Sequence, residues 1–129
     1  MTPRSRLFAY GTLLPGDARW GFLQPFAVDK GTPDSADGQL YDTGEGYPAA
    51  VFDAAAVVHG RVFQFATDRL DEALSVLDEV EGAVAGDYRR VEILTHGGYI
   101  AWAYAYGGGL RLAPILDGSW VAHRRRPGG

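Results

Sequence analysis

Short apolar runs broken by glycine dominate the chain, and their lengths and β-branched or aromatic content predict strands rather than helices. RLFAYGT (Arg6–Thr12), GQLYDTG (Gly38–Gly44), YPAAVFD (Tyr47–Asp53), VVHGRVFQF (Val57–Phe65), YRRVEILTH (Tyr88–His96) and YIAWAYAYG (Tyr99–Gly107) read as about six such strands. His96-Gly97-Gly98 signals a hairpin between the last two. The loose alternation of Tyr99, Trp102, Tyr104 and Tyr106 points to partial burial on both faces, with Trp102, Tyr104 and Tyr106 in the core.

Only one segment carries a sustained helical period. It starts near Thr67, a possible cap, has Asp68 and Asp71 in a dipole-favoured first turn, and stops at Gly82. Counting about 100° per residue from Leu70, Leu74 falls near about 40°, Leu77 near about −20° and Glu81 near about 20°. Glu72 and Glu79 fall near about 200° and about 180°, on the solvent side. The apolar stripe therefore ends in a carboxylate. WGFLQPF (Trp20–Phe26) reads as one short helical turn, Asp29–Asp37 as a polar segment, and the tail from residue 121, with HRRRPGG, as a fraying end. Many short strands need their edges hidden, so the expected fold is α+β: a small mixed β-barrel flanked by one main helix, in a single domain over residues 1–129 with its core at about 6–106.

Composition narrows the chemistry. The 129 residues, 47% of them hydrophobic, suit one domain. A formal net charge of −4 with dispersed acids and bases gives no electrostatic ground for a nucleic acid or an anionic membrane as partner. No cysteine is present, which excludes disulfides, thiolate catalysis and Cys-based metal sites. The N-terminus lacks the apolar run of a signal peptide and no later run approaches the ~18 residues needed to span a bilayer, so the reading is a cytoplasmic protein.

Among candidate sites, Glu81 comes first. An acid on the stripe of Leu70, Leu74 and Leu77 is desolvated and lies at the negative end of the helix dipole; both effects raise its pKa toward the range of a proton shuttle. In FAYGTLLPG (Phe8–Gly16) a strand runs into a glycine turn that is neither a Walker loop nor G-x-G-x-x-G. Gly11 allows successive N–H groups to form an anion nest, although a plain glycine bend explains the same residues. His59, His96 and His123 lack metal-ligand spacing, no serine sits in a G-x-S-x-G elbow, and Arg124–Arg126 form a charge run.

In combination, Tyr10-Gly11-Thr12-Leu13 after the first strand, Leu40-Tyr41-Asp42 with Tyr47-Pro48-Ala49, and Leu77-Asp78-Glu79-Val80-Glu81-Gly82 followed by Tyr88-Arg89-Arg90 resemble the gamma-glutamylcyclotransferase-like family, which includes AIG2-like proteins and gamma-glutamylamine cyclotransferases. The late Asp117-Gly118-Ser119-Trp120 is similar to an ending found in some members. The resemblance implies that Tyr10, Gly11, Thr12 and Leu13 bind the glutamyl group through backbone N–H groups, that Glu81 is the catalytic acid/base, and that Tyr88 lines the pocket or bonds the carboxyl group. Leu14-Pro15 departs from it, because many relatives carry a basic residue there.

The implied reaction releases 5-oxoproline and an amine or amino acid from a γ-glutamyl amide. Its nucleophile is the substrate's own α-amine, so one carboxyl group can move both protons, and no metal or cofactor is needed. The nest would hold either the α-carboxylate or the developing oxyanion. Trp20, Phe22, Tyr41 and Tyr47 are candidates for the pocket mouth. The rival expectation is a non-catalytic small-molecule-binding or protein-interaction domain of the same fold, which would not need to bear the cost of an acid on an apolar stripe.

Overall fold

The N-terminal strand lies in the middle of the sheet, and the rest of the chain is arranged around it. In the computed structural model, which describes residues 5–44, 46–82, 87–108 and 112–125, the strands are β1 (Arg6–Ala9), β2 (Thr32–Asp42), β3 (Pro48–Gln64), β4 (Asp87–Leu94), β5 (Ile100–Gly108) and β6 (Ala113–Ile115). Their order in the sheet is β4-β5-β1-β3-β2-β6. β1 runs parallel to β5, pairing Leu7 with Trp102, and antiparallel to β3. The curled sheet is a nearly closed mixed barrel.

Alternation along β1 divides the core in two. Phe8 and Tyr10 point into the barrel with Leu40, Val58, Ala101, Ala103 and Trp120. Leu7 and Ala9 point out, toward Leu13, Leu23, Phe63, Ala73 and Leu77. That outer layer is covered by α1 (Trp20–Leu23), the 3-10 turn Gln24–Phe26 and α2 (Leu70–Gly82). A strand buried on both faces reads as an unbroken apolar run, as Leu7–Tyr10 does.

The expected strands at 47–53 and 57–65 form one element, β3. Its pairing with β2 jumps from Val57 opposite Asp37 to Phe52 opposite Gly38, so residues 53–56 bulge out of the ladder. The expected first strand ends at Ala9 rather than Thr12, because the chain turns there: the Leu14 N–H bonds the Gly11 carbonyl at 3.0 Å.

The polar segment Asp29–Asp37 is largely strand, since β2 begins at Thr32. Its polar side chains meet the β4–β5 turn: the Asp34 carboxylate accepts from the Gly97 N–H at 2.9 Å, and the Ser35 carbonyl accepts from the His96 N–H at 2.8 Å. The His96 ring lies 2.7 Å from the Ser35 hydroxyl and 2.8 Å from Asp37. These bonds fasten the hairpin across the gap between the two halves of the sheet.

Part of the expected tail is helical, in α3 (Trp120–Arg125). Trp120 is buried in the barrel end, and the His123 ring lies 2.7 Å from the Asp42 carboxylate. Gly118, which precedes α3, has φ +68, and a Cβ there would lie 1.8 Å from the Val57 carbonyl oxygen, so only glycine fits. The side chains of Arg124 and Arg125, and all of Arg126, fall outside the described residues, as does the Thr67 side chain expected to cap α2. A 3-10 turn, Thr67–Arg69, leads into that helix. No helix among the described residues is long and apolar enough to cross a membrane.

Candidate active site

At the end of β1 the turn, the last turn of α2 and the start of β4 converge on one cavity. It is lined by Phe8–Leu13, Tyr47, Pro48, Glu81, Tyr88 and Tyr104. Tyr10, Gly11, Thr12, Leu13, Glu81 and Tyr88, expected to hold or transform a substrate, all lie on its wall.

Helix α2 keeps its period to Gly82, so Glu81 faces inward as the 3.6-residue count requires. The buried face is Ala73, Leu77 and Glu81, four residues apart; Ala73 and Leu77 are fully buried, whereas Leu70 and Leu74 flank that face and are partly exposed. Glu72 and Glu79 are exposed. Half-buried Glu81 has its carboxyl pushed up from the usual 4.5 to about 7, chiefly because burial strips the charged form of water, with the Arg19 guanidinium pulling weakly the other way.

Of the four tyrosines on the wall, Tyr10, Tyr88 and Tyr104 have these O–H partners. Tyr10 donates to the Tyr104 carbonyl, Tyr88 to the Pro48 carbonyl at 3.1 Å, and Tyr104 to Asp78 at 2.7 Å. Burial, with Glu81 and Tyr88 nearby, pushes the Tyr10 phenol well above its ordinary value. Burial also raises Tyr88, helped by Tyr47, Glu81 and Tyr106. Both phenols therefore stay neutral, and Glu81 is the lining group poised to exchange a proton near pH 7.

Asp78, one turn before Glu81, anchors the helix. Against the burial that pushes its carboxyl up, bonds from Arg90 and Tyr104 hold it below the usual carboxylate range. Arg90 meets Asp78 at 3.0 Å and lies 4.3 Å from the centre of the Trp102 ring. The helix end is thereby pinned to both β4 and β5.

The Gly11–Leu14 turn presents its backbone to the cavity. The Leu14 N–H is used within the turn, whereas those of Gly11, Thr12 and Leu13 bond no described residue. A Cβ on Gly11 would lie 2.6 Å from Pro48 Cγ, so glycine is required by close approach. A cation borders this turn, at a different position from the one the resemblance points to. Leu14, where a basic residue was the familial expectation, is buried. Arg19 supplies a charge instead: its Nη1 donates to Thr12 Oγ1 at 3.1 Å, its backbone N–H to the Thr12 carbonyl at 2.7 Å, and its guanidinium lies 5.6 Å from the Tyr47 ring centre.

The sequence does not single out Arg19, which lies in a turn without periodicity; its short spacing from the Tyr10–Leu13 motif is the signal that points to it. Of the expected mouth residues, Tyr47 lines the cavity. Trp20 instead packs on Phe63 with ring centres 5.6 Å apart, Phe22 is exposed, and Tyr41 lies outside the lining. Tyr104, expected only as core, reaches the cavity wall; Trp102 and Tyr106 are partly exposed. The three histidines lie apart: His59 on β3, His96 in the β4–β5 turn and His123 on α3.

The sequence profile described as "Gamma-glutamyl cyclotransferase, AIG2-like" matches residues 7–122. An uncharacterised protein of Pyrococcus horikoshii, PH0828, is 26% identical, with 92% of each chain covered and a TM-score of 0.71. Protein c4763, specific to uropathogenic E. coli, is 18% identical over 96% of this chain and 97% of its own, with a TM-score of 0.69. A mouse AIG2-like protein is 15% identical over 80% of this chain and 77% of its own, with a TM-score of 0.55. The last two likenesses concern the fold alone. No curated protein sequence matches the chain.

Proposed function

Because the chain belongs to the gamma-glutamyl cyclotransferase, AIG2-like family, we propose that it converts a γ-glutamyl amide into 5-oxoproline and a free amine or amino acid, with Glu81 as the proton carrier. The observation that supports this most is the raised pKa of a carboxyl group facing a glycine turn across a cavity walled by neutral tyrosines.

The substrate's α-ammonium group gives a proton to the Glu81 carboxylate, and the freed amine attacks the γ-carbonyl carbon. A C–N bond forms and the carbonyl π pair moves onto oxygen. The N–H groups of Gly11, Thr12 and Leu13 are suited to hold that oxyanion, and Arg19 to pair with the α-carboxylate. As the tetrahedral centre collapses, Glu81 returns its proton to the departing nitrogen, and the original C–N bond breaks. The ring nitrogen's extra proton leaves by the same carboxylate. An acid with a pKa of about 7 gains and loses a proton at similar cost near neutral pH, which suits both transfers.

The cavity measures about 20 Å³, room for about one water. On this reading Tyr47, Tyr88 or Arg19 swings aside to admit a γ-glutamyl chain. The second reading, a domain of this fold that binds without catalysis, requires the same opening and differs in product formation alone.

Product analysis separates the two. The protein and its Glu81→Gln variant are incubated with a panel of γ-glutamyl amines and γ-glutamyl amino acids, and 5-oxoproline and glutamate are followed by mass spectrometry. Formation of 5-oxoproline by the parent, and its loss in a still-folded variant, supports the cyclotransferase and identifies the leaving group. Free glutamate in its place indicates a hydrolase, and absence of both products across the panel favours the binding domain.

A further inference from the structure

A second hollow, of about 410 Å³, borders the same turn through Leu14 and Pro15, yet shares no lining residue with the Glu81 cavity. Lys30, His59 and Arg61 face it, and Trp120 and Leu14 give it a buried apolar wall. It falls within the ~300–1,000 Å³ typical of small-molecule sites.

The charge pattern is what requires explanation. In a chain of net charge −4, this hollow gathers two permanent cations and an imidazole with no carboxylate among its lining residues. His59 and Arg61 stand two residues apart on β3 and so share a face. The Arg61 guanidinium is fixed by Nε to the Lys30 carbonyl and by Nη2 to the Gly31 carbonyl, both at 2.8 Å. Those carbonyls orient it without cancelling its charge. Lys30 is exposed and its ammonium bonds no described residue. Gathering like charges around a concave surface works against folding, and an anion seated there relieves the repulsion.

We propose that this groove is a binding site for a small organic anion whose multiply charged head sits between Lys30 and Arg61 and whose apolar body lies against Trp120 and Leu14. With Nε and one Nη2 hydrogen of Arg61 committed to carbonyls, its Nη1 and second Nη2 N–H groups suit the oxygens of a phosphate-type head, and the indole wall suits a flat or branched hydrocarbon body. The site is independent of the cyclotransferase reading. Glu81 does not touch it, and its ligand leaves the chemistry unchanged unless the shared turn moves.

The test uses phenyl phosphate as probe, with inorganic phosphate and benzyl alcohol as head-only and body-only controls, titrated into ¹⁵N-labelled protein. Phenyl phosphate is expected to saturate at about 1 mM or below, at least about tenfold tighter than either control. The shifts are expected at Leu14, Lys30, Arg61 and the start of α3. Two variants at exposed positions leave the fold intact: Lys30→Glu reverses a charge, and Val121→Glu brings a carboxylate to the wall. Each is expected to weaken binding by about tenfold or more. Glu81→Gln is expected to bind unchanged, which keeps this outcome separate from that of the activity assay. Shifts confined to the Glu81 cavity, equal affinity for inorganic phosphate, or affinity untouched by both groove variants would each overturn the proposal.

Discussion

Two hollows share one turn of chain and have opposite chemistry. The cavity behind Gly11–Leu13 is small, walled by tyrosine hydroxyls, and contains one carboxyl group brought to about pH 7 by burial. The groove behind Leu14 and Pro15 is some twenty times larger, rimmed by cations, and has no acid on its wall. Size alone would choose the groove as the active site. Proton transfer by a carboxyl group demands one that can exist in both forms near neutral pH, and of the two linings only that of the small cavity contains a carboxyl group. The difference teaches that seclusion, which makes a cavity small, is also what raises the acid's pKa. Room for a ligand and power over a proton are opposed requirements, met here on opposite sides of the turn.

The sharpest break between the two comes from Glu81→Gln, which keeps the shape and removes the proton carrier. Formation of 5-oxoproline is expected to fall by about 10²–10⁴-fold while phenyl phosphate binding in the groove stays as it was. Next in size, Gly11→Ala forces a methyl group toward Pro48, 2.6 Å away, and displaces the N–H groups facing the small cavity. Turnover is expected to drop by about a hundredfold, read from kcat at saturating substrate.

A stability titration tests the seclusion itself. Glu81 has a folded pKa of about 7 against an ordinary 4.5, so between these values the folded protein holds a proton that the unfolded chain has released. Its stability contribution is complete below pH 4.5 and is lost as pH rises to about 7. Chemical denaturation at pH 5 and pH 8 is expected to show the parent losing about 1–3 kcal/mol more than Glu81→Gln over that interval. An equal loss in both would place Glu81 in water.

The smallest effect is expected from Arg19→Ala. Loss of an ion partner for the substrate's α-carboxylate raises KM by about tenfold with a lesser change in kcat. The acidic limb of the rate profile moves to higher pH, because the cation that lowers the Glu81 pKa is gone. Arg19→Lys keeps the charge and is expected to restore the limb more fully than KM.

What could be read from sequence were features carried by local rules. The stripe ending at Glu81 and the hairpin at His96–Gly98 follow from period and turn chemistry, and both are present. The Tyr10–Leu13 turn was visible through its glycine. Features made by distant partners stayed hidden. β6 has only three residues, with Pro114 among them, and is a strand because it lies against Leu40–Asp42. The segment Thr32–Asp37 reads only as polar, not as strand, because its hydrophilic groups are satisfied by a turn some sixty residues away. The groove had a faint signature in His59-Gly60-Arg61, two bases with the period of a strand, which gains meaning only when Lys30 is brought alongside.

β1 has a consequence in time as well as in space. It is made long before its neighbour β5: Leu7 pairs with Trp102, and the Tyr10 hydroxyl rests on the Tyr104 carbonyl. A growing chain can build the β2–β3 ribbon and the helix bearing Glu81 long before that partner strand leaves the ribosome. Strand β1 must wait, held on one side only, until β5 has been made. On the cyclotransferase reading, activity therefore appears in one late step, and product formation during synthesis would mark the moment at which β1 and β5 pair.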